Sequence, residues 1–108
     1  MADFEPRSGA EQRGWRPCIV VMHSAFLEVE SWFSVVVVPV SSSQGQTRRG
    51  PSVVVIDGQH TGLTKPSVAL CHQITTLDKR KFGSQVGALS NEQLLNLEVG
   101  LRHTLELS

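Results

Sequence analysis

The chain has 108 residues, 40% hydrophobic and 19% charged, which suits one domain with its own core and is too apolar for general disorder. Ten Lys plus Arg balance ten Asp plus Glu, so overall charge gives no basis for tight nonspecific nucleic-acid binding, and any polyanion must meet a local patch. No apolar run is long enough to cross a bilayer as a helix, and Asp3, Glu5 and Arg7 stand where a secretory leader would be apolar. A single cytoplasmic domain over 1–108, without membrane contact, is expected.

Residues 5–15 carry Pro6, two glycines and four charges without periodicity, the pattern of a surface loop. From Pro17, the run Cys18-Ile19-Val20-Val21-Met22 predicts a short buried strand, because β-branched side chains favour the pleated backbone. His23-Ser24 starts a brief turn or helical segment. Residues 32–40 repeat the strand signature with four consecutive valines, and Pro39, having no N–H, marks that strand's edge or end. Trp32 and Phe33 read as core or dimer contacts. A polar loop over 41–50 precedes a strand at Val53–Ile56, closed by the tight-turn pair Asp57-Gly58. A further strand starts at Val68 and runs through Ile74, and Val86–Leu89 reads as a last short one.

The period then changes. Ser90-Asn91-Glu92-Gln93 has the form of a capping box, and Leu94, Leu97, Leu101 and Leu105 follow along one helical face. That face needs a partner, so a C-terminal amphipathic helix should pack on the sheet. Gly100 inside it marks a close approach to a strand.

Cys18 and Cys71 each sit inside an apolar run, far from the spacing of a zinc pair or redox motif, and read as small core residues. Basic residues gather at Arg7, Arg13 and Arg16, at Arg48-Arg49, and at Lys79-Arg80-Lys81; these are either separate solvated clusters or one joined basic face. Two strand ends stand out. Arg16 opens the first apolar strand with a planar fork of donors matched to phosphate oxygens, and the second ends Val38-Pro39-Val40-Ser41-Ser42-Ser43, rich in hydroxyls. Together they suit a phosphate site; alone, each suits an ordinary solvated strand end.

Four separated blocks go further: Gly14-Trp15-Arg16-Pro17-Cys18-Ile19-Val20-Val21, Val36-Val37-Val38-Pro39-Val40-Ser41-Ser42, Gly62-Leu63-Thr64-Lys65-Pro66-Ser67-Val68-Ala69-Leu70-Cys71-His72-Gln73-Ile74, and Leu77-Asp78-Lys79-Arg80. In this order, with Leu89-Ser90 and Glu92 opening the closing helix, the chain resembles the MazF/PemK toxin endoribonucleases from Asp3 to Leu107. The resemblance implies a mainly β fold, a small SH3-like antiparallel barrel with a C-terminal helix and a truncated first strand. It also implies a homodimer that cuts single-stranded RNA without metal or cofactor, leaving 2′,3′-cyclic phosphate and 5′-hydroxyl ends, and a small MazE-like antitoxin that neutralises it.

Carried onto this sequence, the family's essential arginine falls on Arg16 and its hydroxyl on Ser41, with Ser standing where Thr is usual. Gln73 matches a groove-lining residue, while His72 replaces a usual acid and Thr75 a usual Arg. Trp15 offers a stacking surface beside Arg16; Ser42 and the loop pair Arg48 and Arg49 complete the expected RNA contacts. His23, His60, His72 and His103 can each move a proton, and the base is left open. Two other readings exist: a decayed barrel that only binds antitoxin, and a gyrase poison resembling CcdB, disfavoured by the tail Thr104-Leu105-Glu106-Leu107-Ser108, which lacks Trp.

Overall fold

The computed structural model describes residues 1–5, 14–22, 24–42, 50 and 52–107. Arg48 and Arg49, and with them His23 and Ser43, lie outside the described residues. The strands are β1 (Ala2–Asp3), β2 (Trp15–Arg16), β3 (Cys18–Val20), β4 (Ser34–Ser41), β5 (Val53–Ile56), β6 (Ser67–Leu70) and β7 (Thr75–Asp78). The helices are α1 (Ser24–Leu27) and α2 (Asn91–Leu105).

All pairing is antiparallel. β1 pairs with β2, and a second sheet runs β3-β4-β6-β5 with β7 also on β4. This is the small barrel-like antiparallel sheet with a C-terminal helix that the sequence called for, although the pairing does not close into a full ring among the described residues. No helix among them is long and apolar enough to cross a membrane.

β4 organises the core because it is covered on both faces, which is why its sequence reads as an unbroken apolar run. Val35 and Val37 pack with Ala2, Phe4 and Leu77, whereas Val38 packs with Val54, Ile56, Ala69, Cys71 and Leu97. The period-two alternation of strand side chains thus deals successive valines into two separate clusters. Both cysteines are free thiols in these clusters. Burial pushes the Cys71 thiol up to about 11, and raises that of Cys18.

Pro39 lies inside β4, and the strand continues through it to Ser41, so of the two expectations, edge or end, the edge is the one that holds. In the β3–β4 ladder the Val40 N–H donates to the Pro17 carbonyl at 2.9 Å and the Val21 N–H to the Val36 carbonyl at 3.0 Å. Alternation then makes Cys18↔Pro39 a non-hydrogen-bonded pair. The missing N–H faces the other edge, where β4 is unpaired: Val37 meets Thr75 of β7 and Val40 meets Ala69 of β6. Between those pairs β4 has two residues, Val38 and Pro39, and the opposing chain has five, Leu70 to Ile74. The surplus of three is Cys71–Gln73, which coils into a 3₁₀ turn.

That turn splits the strand expected from Val68 through Ile74 into β6 and β7. Residues 86–89 form no strand; the Ala88 N–H donates to the His60 carbonyl at 3.0 Å as a single tie. Trp32 and Phe33 are 38% and 51% exposed and stand outside both core clusters. Trp32 instead meets Phe26, ring centroids 5.0 Å apart, and donates its indole N–H to the Ser34 carbonyl.

α2 begins as its sequence announces. Ser90 Oγ accepts from the Gln93 N–H at 3.1 Å and the Ser90 N–H donates to Gln93 Oε1 at 2.9 Å. The Gln93 amide also donates to the Asp57 carbonyl, and its oxygen pairs with His60 Nε2 at 2.8 Å. One cap residue therefore ties the helix to the β5 end and the Gln59–Thr61 turn. On the leucine face Leu97 is buried and Leu101 half-buried, while Leu94 and Leu105 remain close to half exposed; Gly100 is buried.

Candidate active site

The ladder that carries Pro39 also sets Arg16 against Ser41. Pro17 faces Val40 across a hydrogen-bonded pair, so the next step of the same register places Arg16 opposite Ser41, and opposed residues share a face. β2 and β4 are in contact there. Ser41 is 5% exposed, paired on its other side with Val68 of β6. Arg16 is exposed and paired with Ala2 of β1. A fixed hydroxyl beside a long, solvent-reaching cation is an arrangement able to hold the oxygens of a phosphodiester.

The other predicted residues divide. His72 and Gln73 belong to the Cys71–Gln73 turn against β4, His72 exposed and Gln73 half-buried. They flank the Pro39 gap, two residues along β4 from Ser41. Ser42 is exposed just beyond β4. Trp15 is adjacent to Arg16 in sequence but alternation turns it to the opposite face: it pairs with Asp3 and its indole lies over Gly83, where an added Cβ would come within 3.3 Å of the ring. At 58% exposure it presents a free aromatic surface next to the site, not within the Arg16–Ser41 face.

Of the histidines, His60 is committed to Gln93 and the α2 cap, and His103 is exposed on α2. Among the described residues no three His, Cys, Asp or Glu side chains gather as a metal site. The basic run Lys79-Arg80-Lys81 is partly neutralised. Asp78 caps this 3₁₀ turn by accepting from the Arg80 N–H at 2.8 Å, and Arg80 Nε and Nη2 each reach its carboxylate at 2.9 Å. The Arg80 bonds hold the Asp78 carboxyl down at about 2 and raise Arg80 in turn. Arg80 also lies over the Phe33 ring, 5.9 Å from its centroid, and Lys81 Nζ donates to the Glu5 carbonyl. The sequence left this run as either a separate solvated cluster or part of one joined basic face; the adjacent Asp78, paired with Arg80, is the signal that its charge is partly met locally.

A strand-end arginine facing a buried hydroxyl, on a small antiparallel sheet with a capped C-terminal helix, defines a compact α+β domain with one candidate anion-holding edge. The family described as PemK-like, MazF-like toxin of type II toxin-antitoxin system matches residues 1–105. Endoribonuclease EndoA of Bacillus subtilis (strain 168) is 31% identical over 107 residues, 98% of this chain and 89% of the relative. Among solved structures, Mycobacterium tuberculosis toxin MazF-mt6 superposes with a TM-score of 0.79 at 21% identity, over 99% of this chain and 94% of that one. The MazE-MazF structure from Deinococcus radiodurans gives 0.73 at 26% identity, over 99% and 90%. The chain belongs to the PemK-like, MazF-like toxin family of type II toxin-antitoxin systems.

Proposed function

We propose that this chain is a single-domain endoribonuclease toxin that cuts single-stranded RNA sequence-selectively and without a metal. The observation that carries the reading is the register that sets Arg16 opposite buried Ser41, in a chain whose relative is named an endoribonuclease. The ribose 2′-oxygen attacks the adjacent phosphorus; the P–O2′ bond forms as the P–O5′ bond breaks. The 2′-proton leaves, a proton reaches the departing 5′-oxygen, and the products are a 2′,3′-cyclic phosphate and a 5′-hydroxyl. Arg16 and Ser41 hold the charge that grows on the nonbridging oxygens, the main term in such a reaction. Arg stays protonated, so it stabilises charge and is not the base.

His72, Gln73 and Ser42 line the RNA path beside β4, Trp15 offers a stacking surface at its edge, and Arg48 and Arg49 draw phosphate towards it. The chain works as a cytoplasmic homodimer, and a MazE-like antitoxin neutralises it, as supported by the relative solved as a MazE-MazF pair. The test is incubation of purified protein with a varied RNA pool in EDTA, followed by mapping of new 5′ ends. Cuts at a shared short sequence with 5′-hydroxyl termini are expected; a pool left whole at stoichiometric protein would sink the proposal.

A further inference from the structure

The cations of the run Lys79-Arg80-Lys81 part company in the structure. Arg80 turns to Asp78 and to the Phe33 ring, whereas Lys81 is half-buried and donates from Nζ to the Glu5 carbonyl, 76 residues away in the chain. An ammonium on a neutral carbonyl makes a charge-assisted bond, stronger than one between two neutral groups. Glu5 is tied in turn to the strand pair that carries Arg16. Its N–H donates to Asp3 Oδ1 at 3.0 Å, Asp3 lies opposite Trp15, and Ala2 lies opposite Arg16. The Phe4 N–H donates to the Gly14 carbonyl at 2.9 Å, so the alternation of an antiparallel ladder makes Ala2 and Arg16 the next hydrogen-bonded pair. β2 shares a two-stranded sheet with β1; the Arg16 backbone therefore takes its position from β1 until Pro17, where β4 takes over.

The residues after Lys81 hold the same pair. Phe82 bridges Ala2 and packs against the cluster of Ala2, Phe4 and Leu77. Gly83 lies against the Trp15 indole, where a Cβ would come within 3.3 Å of the ring. Lys81, Phe82 and Gly83 thus meet Glu5, Ala2 and Trp15, three points around the Arg16 backbone. The turn that presents Lys81 is itself fixed, by the Asp78 cap and by the Lys79 N–H, which donates to the Phe33 carbonyl at 2.6 Å.

We infer that Lys81 is a positioning residue for the proposed cleavage: it holds the β1–β2 pair so that the Arg16 guanidinium meets the phosphate beside Ser41. The inference rests on the ribonuclease reading above. Lys81 acts through Arg16 and is not a phosphate contact, because its ammonium is spent on the Glu5 carbonyl. The geometry matters because a misplacement of about 1 Å, from a substitution far from the chemistry, costs on the order of 10²-fold in rate.

Lys81→Met keeps the aliphatic stem and removes the donor. In single-turnover cleavage of a mapped RNA substrate it should lower the rate at saturating protein by about 10- to 100-fold and leave half-saturation nearly unchanged. The Phe4 amide should exchange its hydrogen about tenfold faster than in the parent, while the α2 circular dichroism stays the same. Lys81→Arg restores a donor and should cut at close to the parental rate. In an Arg16→Ala background Lys81→Met should cost nothing further, since the two residues act through one interaction, whereas a general loosening of the fold would cost as much there as in the parent. Additive losses in the double variant would overturn the assignment. So would a loss confined to half-saturation with a shallower salt dependence, the mark of a phosphate contact, or a Lys81→Met protein that cuts like a cutting parent. A parent that leaves RNA whole sinks the ribonuclease reading itself and this role with it.

Discussion

Arg16→Ala separates chemistry from folding. Arg16 is exposed at the end of a two-residue strand whose ladder bonds come from its backbone, so truncation should change stability by about 0.5 kcal/mol or less, the usual range for a surface site. Its role in the proposed reaction is charge stabilisation in the transition state, where loss of one donor costs roughly 10²–10³ in rate, or about 2.7–4 kcal/mol. Ser41→Ala is the contrasting case. Ser41 is 5% exposed between β2 and β6, so removal of its hydroxyl should lower activity and also stability, by about 1 kcal/mol. Single-turnover cleavage of a mapped RNA substrate, run beside thermal denaturation of each variant, reads both quantities. The reasoning is refuted if Arg16→Ala cuts within threefold of the parent, or if its rate loss is matched by a fall in melting temperature.

Leu97, 3% exposed and the one α2 leucine fully inside the cluster of Val38, Val54 and Ile56, should cost about 2–5 kcal/mol when changed to Ala, whereas Leu94→Ala on the exposed part of the same face should cost far less; denaturant titration compares them. The Asp78 carboxyl, held down at about 2 by its Arg80 bonds, stabilises the fold above its unfolded value near pH 4, and that contribution is lost as pH falls from there through about 2. Asp78→Asn should flatten that part of the stability-against-pH curve, and an unchanged curve would count against the pair. With Cys71 buried and its thiol near 11, alkylation at pH 8 should proceed only through opening of the fold, so the rate should rise with denaturant in step with unfolding; rapid native labelling contradicts the burial.

Most of the fold was legible where side-chain pattern and local structure agree. The valine run gave β4, Val53–Ile56 gave β5 to the residue, and the Ser90–Gln93 pairing gave the start of α2. What escaped was set by partners distant in sequence. β7, Thr75-Thr76-Leu77-Asp78, has one buried apolar residue, Leu77, and exists because the first half of β4 offers it four paired positions. Val86–Leu89 has strand-like composition but pairs with no strand and lines a cavity, with β3 among the cavity's other walls. Trp15 and Arg16 looked like one contact because they are neighbours in the chain; in a strand, neighbours face opposite ways.

The placement of the candidate site follows from a single misfit in the sheet. β4 must serve β7 with its first half and β6 with its last two residues, and the two registers differ by three residues. A strand cannot absorb that surplus, so it leaves the sheet as the Cys71–Gln73 turn, carrying His72 and Gln73 outward. The same interruption leaves one stretch of β4 edge without a partner, the only kind of place where a buried strand accepts a residue with no N–H, and Pro39 occupies it. Past that point the strand needs only two more residues to bring Ser41 level with Arg16. The sequence Val38-Pro39-Val40-Ser41 is thus one device: the proline sits where the ladder must break, and the break sets the turn, the end of the strand and the hydroxyl at one edge of the sheet.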